Sequence, residues 1–338
     1  MSSHPSSSAA AAAPLDDEDL LSEILLRLPP LPSSLPRASL ACKLWGRIVS
    51  DARFLRRFRE HHRRNPPLLG CFVQGTSYAG LLGCFSFPID SGDTFMILGC
   101  RHGLMLIFLW TGNLLLVWDP VTGDQHRLDI PPGFDKEETM INGAVLRAAG
   151  EAHHFQVVLV GNLHRLWPQV YSSETGVWSN LVSTLLPADD PDVPTRVYHD
   201  MQSLSVINVP VDIFYVDSCL FTVMRADGGG LGFLFISGNC FQLWKRKTDC
   251  DGVASWVLGR TVALDKLLSM NSEEGSQSPR ILGFAEDNNV VLLWAFIGDI
   301  FMLQVKSLQL KKLFESYRSF SWRHYYPFEG VYTAGINS

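Results

Sequence analysis

The chain holds 338 residues, 46% of them apolar and 18% charged, with a formal net charge of −6. That length supports more than one domain, each with its own core, and the balance is that of an ordinary folded protein. Seven cysteines, an odd number with no CxxC pair and set mostly in apolar runs such as LLGCF and ISGNCF, argue against a disulfide framework and for buried free thiols.

Charge is uneven along the chain. Residues 1–65 carry ten Lys/Arg and seven Asp/Glu, a net of +3, which leaves −9 for residues 66–338. Residues 1–14 are rich in Ser and Ala and lack the basic start of a secretory signal, so a disordered lead is expected there. Leu20, Leu21, Ile24, Leu25 and Leu28 then recur at helical spacing, within an arc of roughly 140° that excludes Leu15 and Leu26. Asp16 is the expected N-cap, with Asp17, Glu18 and Asp19 in the first turn, where the helix dipole favours negative charge. Pro29 and Pro30 end this helix. Ser33 or Ser34 caps a second short helix carrying Leu35, Ala38 and Leu40, with Pro36 tolerated only in its first turn. Cys42, Trp45, Ile48 and Val49 mark a third helix, and Phe54, Leu55 and Phe58 a fourth.

Each Leu, Ile or Trp wholly buried is worth ~1.5–3 kcal/mol or more, yet modules near ~40 residues rarely bury enough to stand alone. The wide apolar stripes of this head therefore imply a docking module with a protein partner. The run RFLRRFREHHRR (53–64) raises a nucleic-acid patch as an alternative. Phe54 and Phe58 at i, i+4, the interrupting Glu60 and the acidic body favour a solvated helix face or a rim for an acidic adaptor.

The head reads L-x-x-x-D-L-L-x-E-I-L-x-R-L-P, followed by S-L-x-R-A-S-L-x-C-K-x-W-x-x-I-x-S-D-x-x-F. It resembles the F-box over residues 15–62. The resemblance implies a helical domain of three to four short helices that binds a Skp-type adaptor and, through it, a cullin ubiquitin ligase. By position the adaptor contacts it implies are Leu15, Leu20, Ile24, Leu25, Leu28, Leu35, Leu40, Cys42, Trp45 and Ile48. Pro36 stands where that family has Leu, which removes an anchor. Gly46 stands where it has Arg, at a cost of about 1 kcal/mol of helix propensity relative to Ala. A weaker dock than average is expected.

Asn65-Pro66-Pro67 marks a boundary, after which helical periodicity nearly vanishes. Twelve short runs rich in Val, Ile, Phe, Leu and Trp alternate with Gly, Asn, Asp and Pro, which argues an all-β body over 66–335. Some 270 residues of four-strand units suggest a β-propeller of five to seven blades. Together with the helical head this makes an α+β multidomain chain. The apolar stretches 104–118 and 290–305 break at Gly112-Asn113 and Gly298-Asp299, so they read as hairpins rather than membrane spans. LLLVWDPVTGDQHRL (114–128) and PQVYSSETGVWSNL (168–181) both run strand, T-G turn, strand; 299–314 has that shape without the T-G pair. CRHGLMLI with LLLVWDPVTGDQHRLDIPP, then VYSSETGVWS, then YYPFEGVYT resemble segments of the plant F-box-associated and kelch-like β domains.

Catalytic patterns are weak throughout. GGGLGF (228–233) lacks a third phosphate-loop Gly and reads as a loop; His153, His154 and His164 lack metal-ligand spacing. Asp189, Asp190 and Asp192 and the stretch SEEGSQSP read as solvated loops. No metal, cofactor or catalytic residue is expected. The expected function is a non-catalytic substrate receptor of an SCF-type ubiquitin ligase in the cytoplasm or nucleus, recruiting an unknown target protein. The alternatives are a propeller-fold hydrolase with a helical cap, which predicts Asp, Glu or His converging at the propeller mouth, and a nucleic-acid binder through the Arg run. Trp167, Tyr171, Tyr198, Tyr317, Trp322 and Tyr325 are candidate recognition aromatics, with packing the commoner fate.

Overall fold

Four short helices open the described chain, and two of them begin where an aspartate supplies the missing acceptor. α1 (Glu18–Leu26) is capped by Asp17, whose carboxylate accepts from the backbone N–H of Asp19 at 2.9 Å and Leu20 at 3.2 Å, one residue later than the expected Asp16. α4 (Ala52–His62) is capped by Asp51 through Arg53 N and Phe54 N at 2.8 and 3.0 Å. α2 (Ser34–Ser39) places Pro36 in its first turn, where a missing N–H breaks no helical bond, and α3 (Lys43–Ser50) follows. This computed structural model describes residues 17–74, 79–82, 89, 93–132, 134, 140–147, 154–162, 166–180, 196–200, 203–207, 221–226, 228–268, 279–295, 299–315 and 324–333. The expected lead 1–14 lies outside them.

The chain divides into two compact units, Met1–Pro67 with Gly330–Ser338, and Leu68–Glu329. In the first, Leu21, Leu25, Leu26, Leu35, Val49, Phe54 and Phe58 form one core, and Val331 from the far end of the chain is buried among them. The Arg59 guanidinium donates to the hydroxyl of buried Thr333 at 2.8 Å, and Gly330 N donates to Pro67 O at 3.1 Å. The β body was expected to run to 335, whereas the last described residues pack with the helices.

The second unit is a set of antiparallel meanders, the construction of a β-propeller. Four sheets are complete, each with its strands in chain order. They are β3 (Phe95–Arg101), β4 (Leu104–Leu109), β5 (Leu114–Trp118) and β6 (Gln125–Asp129); then β7 (Met140–Arg147), β8 (Phe155–Asn162), β9 (Leu166–Ser172) and β10 (Val177–Asn180). The third is β13 (Phe221–Arg225), β14 (Leu231–Ser237), β15 (Cys240–Thr248) and β16 (Ala254–Ala263), and the fourth β17 (Arg280–Ala285), β18 (Val290–Ala295), β19 (Asp299–Gln304) and β20 (Leu310–Glu315). β11 (Arg196–Asp200) and β12 (Ser203–Ile207) form a two-stranded sheet. β1 (Leu68–Gln74), β2 (Ala79–Leu82) and β21 (His324–Glu329) form a three-stranded one in the order β2-β1-β21. Among the described residues four sheets have four strands and two have fewer, six sheets in all against the five to seven blades expected. A short helix, α5 (Leu264–Leu268), follows β16.

The inner strands β13, β17, β21, β3 and β7 neighbour one another in that order. Apolar side chains fill the spaces between sheets. Leu104, Leu106 and Phe108 of β4 pack toward Val145, Val157 and Leu159, while Met105, Ile107 and Leu109 pack toward Phe72 and Phe328. All six residues of β4 and all six of β18 are buried. Strands covered on both faces lose the polar alternation of a half-exposed sheet, which is why these runs look like membrane segments in the sequence. No helix among the described residues is long and apolar enough to cross a membrane. The T-G turns take the left-handed backbone that glycine permits, φ +81° at Gly123 and +71° at Gly176. The third meander of this shape holds Leu308 at φ +57° instead.

Val331→Asp places an uncompensated charge in the helical core at a cost of several kcal/mol. Amide exchange over 17–62 should accelerate at least tenfold with the strands of 68–329 unaffected; unchanged helical exchange would show that the C-terminal segment contributes nothing.

Candidate functional site

Docking needs apolar surface that the unit's own core leaves uncovered. Leu20 and Ile24, four apart on α1, are 44% and 36% exposed; Leu31 is 52% exposed and Leu40, the C-cap of α2, 84%. Cys42 is exposed, and Leu28 and Trp45 are half-buried against the core. These six of the sequence-expected contacts, Leu20, Ile24, Leu28, Leu40, Cys42 and Trp45, are the ones a partner can reach. Leu25, Leu35 and Ile48 are 0%, 1% and 9% exposed, so in this structure they belong to the core rather than to the surface. Leu15 lies outside the described residues.

The single apolar arc expected for α1 is therefore split. α3 and α4 cover α1 from the side that includes Leu26, which the arc excluded, and leave Leu20 and Ile24 facing away. Leu31 went unnoticed in the sequence because it belongs to no helical period. Its signal is positional: an apolar side chain between Pro30 and Pro32, where the chain cannot coil to hide it.

The Arg run serves this unit from within. Arg57 pairs with Glu23 and donates to Ser22 Oγ at 3.3 Å, both on α1, and Arg59 holds Thr333. Arg47 of α3 pairs with Glu18. These pairs are at least half exposed, so each is worth ~0–1 kcal/mol and orients helices more than it stabilises them. A ring nitrogen of His62 lies 2.9 Å from the Leu26 carbonyl, and burial holds its pKa below the usual value. Gly46 has a positive reason to be there: a Cβ on it would lie 3.2 Å from the Ser39 carbonyl oxygen, so α3 approaches the end of α2 closely. The propensity cost buys that approach.

A second candidate lies in the propeller, where inner strands leave a cavity of ≈ 150 Å³ lined by Arg101, His102, Glu286, Asp287, Tyr325 and Glu329 among others. Acids and a histidine do converge here, as a hydrolase would require. Their bonds are those of a clasp. Glu329 of β21 accepts from Asp287 N at 3.1 Å, Asn288 N at 2.7 Å and Asn288 Nδ2 at 2.6 Å, and Glu286 pairs with Arg101 at 3.0 Å. Burial, then the nearby Glu329 and Glu286, push Asp287 up to about 6 against the pull of Arg225 and Arg101. Burial also pushes the Cys71 thiol up to about 12 and Cys100 well above its usual value, which makes both poor nucleophiles. The five described cysteines are free, Cys42 and Cys250 being exposed rather than buried. Among the described residues no cluster of His, Cys, Asp and Glu suits a metal ion. Gly228, Gly229 and Gly230 form the turn between β13 and β14. His154 is described, whereas His153, His164, Asp189, Asp190, Asp192 and SEEGSQSP lie outside the described residues.

Of the candidate recognition aromatics, Tyr171 packs between Phe155 and Trp178, and Tyr325 is buried. The side chains of Trp167 and Tyr198, and Tyr317 and Trp322 entirely, lie outside the description. Trp110, 53% exposed on the turn between β4 and β5, is the aromatic the sequence did not single out.

Comparison with known proteins matches residues 17–57 to the F-box domain, and residues 198–333 to a family described as "F-box protein AT5G49610-like, beta-propeller". The Arabidopsis thaliana F-box/kelch-repeat protein At3g61590 is 29% identical over 193 residues, 50% of this chain and 46% of that protein, so the chain spans about half the length of that relative. Among solved structures, YCF48 bound to D1 peptide is 12% identical with a TM-score of 0.36, covering 73% of this chain and 81% of the other. Sqt1 of Saccharomyces cerevisiae is 11% identical with a TM-score of 0.31, covering 74% of each. At these scores the structural likenesses carry no weight.

Two substitutions separate core from surface. Leu25→Ala should cost ~2–5 kcal/mol of stability in the helical unit, and Leu40→Ala should stay within about 0.5 kcal/mol in the same denaturation measurement. Comparable losses would contradict the division. Asp287 predicts a pH dependence: its pKa rises from 3.8 unfolded to about 6 folded, so the folded state favours the protonated acid. The penalty for ionising it is absent below the unfolded value and grows as pH rises through the folded one. Asp287→Asn should therefore stabilise the propeller at neutral pH and lose that advantage as pH falls toward about 4; parallel curves would contradict the assignment.

Proposed function

We propose that this chain, whose residues 17–57 match the F-box domain and 198–333 an F-box protein β-propeller family, is the substrate-receptor subunit of an SCF-type cullin ubiquitin ligase. The helical unit docks a Skp-type adaptor, and the propeller recruits a target protein. The observation that carries this reading is the apolar surface of a finished core: Leu20, Ile24, Leu31 and Leu40 stay exposed although Leu21, Leu25 and Phe58 beneath are fully packed.

Magnitudes favour a shared face over a single anchor. A leucine wholly buried gains ~1.5–3 kcal/mol, while association costs an estimated ~4–15 kcal/mol. One side chain cannot meet that cost; the exposed four with half-buried Leu28 and Trp45 can. Pro36 removes one apolar anchor from this face, and Gly46 shapes the packing beneath it rather than subtracting from the contact.

The chain contributes proximity. Adaptor and cullin hold a separate ubiquitin-transferring enzyme, the propeller holds the target, and a target lysine then meets the activated ubiquitin at high effective concentration. No bond is made or broken by this chain's own residues in this reading, and the work takes place in the cytoplasm or nucleus where such ligases operate. The clasp bonds of Glu329 and Glu286 support a holding role over a hydrolytic one. The engagement of Arg57 and Arg59 within the helical unit likewise supports a structural role for the Arg run over nucleic-acid binding.

The test is titration of the full chain with a purified Skp-type adaptor. Leu20→Asp with Ile24→Asp should weaken binding by roughly 100-fold or more, and Leu40→Ala by roughly fivefold to thirtyfold. Charge reversal at Arg56, exposed on α4, should leave affinity within about twofold. Full-strength binding by the double variant would overturn the reading.

A further inference from the structure

The outermost strands of the complete blades are unequal. β6 has 5 residues, β10 has 4 and β20 has 6, whereas β16 has 10. Short outer strands and exposed lysines, such as Lys311 and Lys312 on β20, are how sheet proteins discourage pairing at their edges. β16 does neither. It ends the order β13-β14-β15-β16, pairs with no further strand among the described residues, and exposes Val257 (40%) and Leu258 (44%). The ladder between β14 and β15 stops at Gly232 and Lys245. The one between β15 and β16 continues through Arg246 and Trp256, Lys247 and Ser255, and Thr248 and Ala254, so the hairpin overhangs its own blade.

The two faces of that overhang differ in chemistry. Directly opposed residues share a face, so Trp244 lies with Leu258 and Arg246 with Trp256, an apolar face with one cation. On the other face Lys245 lies with Val257, Lys247 with Ser255 and Leu243 with Arg260, which gathers three cations. A register shift between Leu243 and Trp244 separates the Arg260 pair from the rest. Asp249 and Asp251 lie in the connecting turn, where the Asp249 carboxylate already accepts from Asp251 N and Val253 N at 3.0 and 2.8 Å, and Arg260 Nη1 donates to Lys306 O at 3.5 Å, which leaves its charge without a carboxylate in that bond.

We propose that β16 is a strand-addition site for an extended protein segment that alternates acidic and apolar residues. Backbone groups along β16 would supply the ladder. Side chains of period two would set acidic residues beside Arg260 and over Lys245 and Lys247, and apolar residues beside Trp256 and Leu258. β15 lies two strand spacings, about 10 Å, from an added strand, within combined reach of a lysine and a glutamate side chain. The same charges select the occupant: a second copy paired edge to edge would set Lys247 and Arg260 against their own kind, which disfavours self-association. Only the naming of the bound protein as a ubiquitination target rests on the receptor reading above.

The probe is a blocked nine-residue peptide of alternating Glu and Val, labelled for fluorescence anisotropy and titrated into the full chain. It should bind and slow amide exchange over 254–261. Replacing its central Val by Pro, or every Glu by Lys, should weaken binding by roughly tenfold or more, since the first removes a ladder donor and the second the charge match. Lys247→Glu with Arg260→Glu should weaken the Glu/Val peptide by about the same factor and favour the Lys/Val one. Absent binding, equal binding of the Pro-interrupted peptide, or binding without slowed exchange in β16 would overturn the proposal. An oligothymidylate that displaces the peptide while β16 amides stay unprotected would count against it as well. Adaptor affinity of the same charge-reversal variant should be unchanged, so failure here leaves the receptor reading standing.

Discussion

The pairing of β1 with β21 is the constraint on which the rest of this molecule depends. Cys71 lies opposite Pro327, Phe72 opposite Tyr326 and Gln74 opposite His324, so the first and last strands of the propeller unit meet in one sheet. This makes β21 an inner strand between β17 and β3 and sets Phe328 against Phe72 in a shared core. It delivers Glu329 to the turn whose amides it accepts. Within the helical unit, Gly330 N donates to Pro67 O and Val331 joins the core. Contacts across such a separation (274 positions between Arg59 and Thr333) reward the chain only after most of it is ordered. Loop-closure entropy grows slowly with length, about 0.6 kcal/mol per doubling, so the penalty falls more on folding speed than on stability.

Burial on both faces of a strand and burial on only part of a helix have opposite consequences. β4 and β18 are covered completely by neighbouring sheets, and their apolar residues are spent on the fold. The helical unit is arranged otherwise. Its core is closed by Leu21, Leu25, Leu26, Phe58 and Val331, yet Leu20, Ile24, Leu31 and Leu40 remain outside it. A free chain gains nothing from exposed leucines, whereas the docking role proposed above would use them.

Local signals were the legible ones. The four helices, the change of character at Pro66 and Pro67, and the T-G turns at Gly123 and Gly176 all follow from residues within a few positions of one another. The sequence-derived contacts Leu20, Ile24, Leu28, Leu40, Cys42 and Trp45 are reachable, but Leu25, Leu35 and Ile48 are not: which side of α1 faces inward is set by α3 and α4, not by its own period. Gly46 looked like a helix defect because Ser39, which needs its missing side chain, is met only when α2 and α3 pack. The acids around Asp287 come from β21 and from the turn after β17, with Arg101 from β3, and no spacing in the chain foretells their meeting. Leu308 adopts a glycine's backbone with no glycine to announce it, because Gln304 O takes its N–H at 2.8 Å.

Hydrogen exchange of the full chain, with and without a saturating Skp-type adaptor, tests the central claim most directly. The account predicts slowed exchange in peptides spanning α1 to α3, where Leu20, Ile24 and Leu40 lie, with the strands of 68–329 unchanged. Protection confined to the propeller, or no protection over α1 to α3 at a saturating concentration, would contradict it.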